Sequence, residues 1–76
     1  MNSFYQELAE RLKALRQERG LSQKQTAQRA GIPIYMLRVC EKGKKYYGLH
    51  NLLKLAQFFE MTVDKLLTGE ESKTNH

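Results

Sequence analysis

The chain has no tryptophan and only one proline and one cysteine in its 76 residues. A lone cysteine, Cys40, excludes an intrachain disulfide and with it the stapled scaffolds of small secreted domains. Histidine is nearly as scarce. His50 and His76 have no cysteine or carboxylate at ligand spacing, so no metal site is expected. No apolar run approaches the ~20 residues a membrane-spanning helix needs. The N-terminus also lacks the basic start and apolar middle of a signal peptide. No membrane partner is expected, and a cytoplasmic location is. Nothing here assembles into a nucleophile–base pair, a paired-carboxylate site or a ligand cluster. The expectation is therefore no enzyme, no cofactor and no small-molecule ligand.

What is present is a soluble composition, 41% apolar and 28% charged. A chain this short forms one domain, burying roughly 60% of its unfolded surface. Its net charge of +5 is unevenly spread. Residues 11–54 carry eleven Lys and Arg against only Glu18 and Glu41, and both flanks are slightly acidic. A basic centre of this kind favours an anionic partner, nucleic acid first among them.

Periodicity gives an all-α reading with five helices. The first runs from about Phe4 to Glu18, with Ser3 and Gln6 as a capping box and Phe4, Leu8, Leu12 and Leu15 as its inward stripe. The second spans about Gln23–Ala30 and the third about Pro33–Lys42. The fourth covers about Leu49–Phe59, with Leu52, Leu53, Ala56 and Phe59 along one face. Thr62 caps a short fifth helix, about Val63–Leu67, stopped by Gly69. Residues 1–69 make the domain, and 70–76 read as a polar, disordered tail.

The segment SQKQTAQRAGIPIYMLRVCEKG is the most telling. Ser22 and Gln25 have capping-box spacing, and Ala27 and Ala30 offer a small-residue face for close approach. Gly31 suits a turn with φ > 0, and Pro33 is tolerated in a helix's first turn. Two helices joined by a short Gly-containing turn make a helix-turn-helix. This segment, with RLKALRQERGLSQ before it and LLKLAQFFEMTVDKLL after it, resembles the lambda-repressor/Cro (xenobiotic-response-element) family. The likeness runs from about Leu8 to Leu67. It implies a compact five-helix DNA-binding domain whose third helix enters the major groove.

The resemblance carries roles to particular positions. Ser22 and Gln23, at the start of the second helix, are expected at the DNA backbone, and Lys42, Lys44, Lys45 and Tyr46 beyond the third helix likewise. Arg16 and Glu41 match a structural ion pair, with Arg16 offering a donor to phosphate besides. The third helix directs Leu37 and Cys40 inward, leaving Ile34, Tyr35, Arg38 and Val39 as base contacts. Only Arg38 among them can fork onto a guanine, and Met36 adds to an apolar character unusual in a base reader. Glu60 stands where the family usually has a glycine.

The leading expectation is a sequence-specific double-stranded-DNA-binding regulator, a repressor by occupancy, with a second copy of the chain as a further partner. Phe58, Met61, Val63 and Leu67 offer a seam for such a dimer. The alternative is a protein-interaction module (antitoxin, antirepressor or assembly factor) that docks a regulatory protein on the apolar face of helix three.

Overall fold

A computed structural model of the chain describes residues 3–44 and 48–70, and all regular structure among them is helical. In order come α1 (Ser3–Glu18), α2 (Gln23–Ala30), α3 (Ile34–Glu41), α4 (Leu49–Phe58) and α5 (Val63–Thr68). None of these helices is long and apolar enough to cross a membrane. The expected tail beyond residue 70 lies outside the described residues.

Local chemistry sets the boundaries. Ser22 Oγ accepts from the Gln25 N–H and Gln25 Oε1 accepts from the Ser22 N–H, each at 3.0 Å, a complete capping box. At the other end of α2, Gly31 takes φ 80°, and the Gly31 and Ile32 N–H groups both donate to Ala27 O. That left-handed residue reverses the chain tightly enough for α3 to begin three residues later. Pro33 corrects its expected place: it precedes α3 as an extended cap (φ −64°, ψ 142°) and its carbonyl accepts from Met36 and Leu37.

The end of α4 is closed in the same manner by a residue poorly suited to it. Glu60 takes φ 59°, the one positive φ outside glycine among the described residues. The Met61 N–H reaches back to Ala56 O at 3.0 Å and completes the turn. The missing glycine thus leaves the turn's geometry intact at a strain of roughly 1 kcal/mol.

α1 packs on α3 and α5, while α2 packs on α3 and α4, and α4 on α5. All five contribute to one core around Leu8, Leu12, Leu37, Leu55 and Leu66, none of them more than 1% exposed. Two expected core positions fall elsewhere. Phe4 is 43% exposed and sits edge-on against Tyr5, the neighbour in the same turn that packs on the core instead. Leu53 is 45% exposed, and Leu55 takes the inward place with Leu52, Ala56 and Phe59. Both stripes obey helical spacing, so packing against α2 and α5 decides between them.

Two arginines, one on α1 and one just past its end, hold the periphery. Arg11 Nη1 donates to Leu66 O at 2.9 Å and Leu67 O at 3.1 Å, capping the last carbonyls of α5. Arg19 lies over the Phe59 ring, 4.9 Å from its centroid, beside the strained end of α4.

Candidate nucleic-acid interface

Three faces of α3 have three fates. Met36, Leu37, Cys40 and Glu41 are buried, Ile34 and Val39 are half-buried, and Tyr35, Arg38 and Lys42 are exposed. Met36 therefore adds nothing to the outer surface, contrary to expectation. An 8-residue helix wedged between α1 and α2 buries an arc wide enough to take in Met36 as well as Leu37 and Cys40. Tyr35, 63% exposed, is a large aromatic side chain on the outer face. Ile34 leans onto the core and offers only an edge.

Glu41 is the unusual member, a carboxylate only 5% exposed. Burying a charge is costly unless it is paired and hydrogen-bonded. Arg16 meets it with a two-pronged contact, Nε to Oε2 at 2.8 Å and Nη2 to Oε1 at 2.9 Å. Gln23 Nε2 donates to Oε1 at 3.0 Å. The expected pair is thus a three-residue clasp joining α1, α2 and α3. The hydrogen-bonded carboxylate raises the Arg16 pKa above its already high ordinary value, against the opposing effect of burial. The remaining Arg16 group, Nη1, donates to Leu21 O at 3.0 Å. Three of its five N–H donors are thus committed inside the protein.

The other expected contacts divide. Ser22 is exposed, its hydroxyl engaged in the cap. Gln23 is half-buried and braces Glu41 from the start of α2. Lys42 and Lys44 are exposed just past α3, where the Lys44 N–H donates to Val39 O at 3.3 Å. Lys45 and Tyr46 lie outside the described residues. Cys40 is fully buried, and desolvation, aided by the nearby Glu41 charge, pushes its thiol up to about 12. It is an inert core residue.

Sequence reasoning overlooked one residue, Lys13. An open cleft of about 400 Å³ is lined by Lys13, Arg16, Gln23, Arg38, Glu41 and Lys42. Spacing puts Lys13 beside Arg16 on one face of α1, but only the packing of α3 against α1 makes a cleft there.

Comparison with known proteins agrees with this geometry. Residues 9–72 match the helix-turn-helix domain family. The chain is 44% identical over 64 residues to the HTH-type transcriptional regulator DdrOP3 of Deinococcus deserti, covering 84% of this chain and 50% of that protein. It is 35% identical over 65 residues to the HTH-type transcriptional activator BcrR of Enterococcus faecalis, covering 86% and 32% respectively. It therefore spans half of one relative's length and about a third of the other's. Among solved structures, the restriction-modification controller protein C.AhdI from Aeromonas hydrophila superposes with TM-score 0.73 at 31% identity, over 82% of this chain and 94% of that one. An HTH_3 family transcriptional regulator from Vibrio cholerae superposes with TM-score 0.75 at 32% identity, over 90% and 38%. With five helices in register and a capped, glycine-turned α2–α3 pair, the chain belongs to the lambda-repressor/Cro-like helix-turn-helix family of DNA-binding domains.

Proposed function

We propose that the chain binds double-stranded DNA sequence-specifically and regulates transcription, as a repressor that occupies its promoter. The observation that carries this reading is the clasp of Glu41 by Arg16 and Gln23. It fixes α3 against α1 and α2 at the cost of burying a charge, while leaving Tyr35, Arg38 and Lys42 outward. Such a helix is suited to the major groove. Tyr35 and Val39 meet base edges there, with Ile34 at the margin, through one hydroxyl donor and apolar contact to thymine methyl groups. So sparse a set of donors favours an A·T-rich operator read partly by shape. Ser22, Gln23, Lys42 and Lys44, together with Lys45 and Tyr46, serve the backbone in this reading. Two copies of the chain place their α3 helices about 34–36 Å apart on a two-fold operator.

The protein-docking alternative is weakened by the burial of Met36, which shrinks the apolar area of α3. Selection from random duplexes tests the choice. A palindromic consensus is expected, with binding whose log–log salt slope is near −0.9 per phosphate neutralised. Salt-insensitive capture of a co-purifying protein, with no duplex enriched, overturns the DNA reading.

A further inference from the structure

Lys13 of α1 meets Arg38 and Lys42, far along the chain from it, on the cleft between α1 and α3. Six side chains line that cleft: four cations, one carboxylate and Gln23. The carboxylate, Glu41, is already matched by Arg16. Three cations remain, all exposed, and none of their side chains has a hydrogen-bond or ion-pair partner among the described residues. Like charges gathered in one concavity repel one another unless an anion enters.

The geometry of α3 bears on Arg38 in particular. At 3.6 residues per turn, a residue three positions on is rotated by about 60°. Arg38 therefore stands about 60° from the exposed Tyr35 and about 60° from the buried Glu41. It is turned from the outer ridge toward α1 and α2, the side where it lines the cleft with Lys13. From the sequence, Arg38 is the natural guanine reader. Its position in the cleft argues otherwise.

We infer that Arg38, with Lys13 and Lys42, seats one phosphodiester group of the DNA backbone and does not read a base. This rests on the DNA-binding reading above and deepens it. Base choice is left to Tyr35, Val39 and the deformability of the duplex, and the cleft sets the register of α3 on the strand.

The test uses the full chain with Lys13→Ala, Arg38→Ala, the double variant and Arg38→Lys, circular dichroism confirming that each is folded. Affinity is measured by fluorescence anisotropy against the selected duplex and a scrambled one over a range of salt. Each alanine variant is expected to weaken both duplexes by the same factor. Because the side chains share one phosphate, which Lys42 still contacts in the double variant, that variant flattens the salt slope by no more than about 0.9, where two separate contacts lose about twice that. Arg38→Lys is expected to retain affinity and consensus, since an ammonium serves a phosphate as a point charge.

A change of preferred base at one position per half-site in Arg38→Ala, unrestored by lysine, overturns the assignment and leaves DNA binding standing. So does a Lys13→Ala chain that binds as the parent does. A double variant with an additive loss of slope overturns the shared phosphate. A parent chain that binds no duplex overturns the underlying reading as well.

Discussion

Gln23 and Glu41, eighteen residues apart, meet through a 3.0 Å hydrogen bond from the Gln23 carboxamide Nε2 to Glu41 Oε1. The first residue of α2 is thereby tied to the last residue of α3, and the turn between them is bridged at its open end. The helix-turn-helix is a closed frame, with Gly31 at one corner and a buried carboxylate at the other.

Glu41→Ala is expected to act on the fold before it acts on any ligand. It leaves the guanidinium of Arg16 and the amide of Gln23 uncompensated in a partly buried site, at a cost of about 3 kcal/mol. For a domain of this size that lowers the melting temperature by roughly 12 °C or more. An unaltered melting temperature would show the clasp to be energetically idle. Gln23→Ala should lie between the parent and Glu41→Ala, since it removes one hydrogen bond and no charge.

Glu60→Gly should stabilise the chain. Glu60 is exposed and held at φ 59°, where a side chain is penalised and glycine is not. A gain of up to about 1 kcal/mol is expected, less what glycine costs through unfolded-state entropy. A lower midpoint in chemical denaturation contradicts the strain at that position.

Thr26 is fully buried on α2, and its hydroxyl has no hydrogen-bond partner among the described residues. Thr26→Val keeps the branched shape and removes the orphaned group. Stability should rise by about 1 kcal/mol, with little change in binding. A loss of stability points instead to a hidden partner for the hydroxyl.

The Cys40 thiol supplies the pH dependence. Its pKa rises from 9.0 to about 12 in the folded chain, chiefly through burial and secondarily through Glu41. The folded state therefore keeps a proton that the unfolded state has released. This contribution is fully present below pH 9 and is lost as pH climbs through about 12. Against Cys40→Ala, the parent should show a stability difference that is flat below pH 9 and shrinks above it, by at most about 1.4 kcal/mol per pH unit. A difference independent of pH across that window refutes the buried neutral thiol. Thiol reagents should label the native chain only at the rate of its unfolding.

Residues whose roles are local were legible from the sequence. Ser22 and Gln25, Gly31, and Thr62 declare themselves by type and spacing, and each is found as read. Arg16 and Glu41 were legible only through resemblance, because nothing local marks a glutamate as buried. Leu53 and Leu55 were misread because α4 carries more leucines than its inner face can hold, and spacing alone does not choose between them. Met36 and Lys13 were missed for a related reason. The width of a buried arc and the walls of a cleft belong to pairs of helices, which no single segment displays.

The two arginine clamps on α1 have a mechanical consequence. Arg11 grips the end of α5 and Arg16 grips the end of α3, five residues apart on one helix. At 1.5 Å per residue they are separated by about 7.5 Å along the axis, far too short a span for a helix to bend appreciably. The stretch of α1 between them is accordingly a rigid strut. A push that displaced α5 would be passed through that short segment to α3, the helix proposed above to enter the groove.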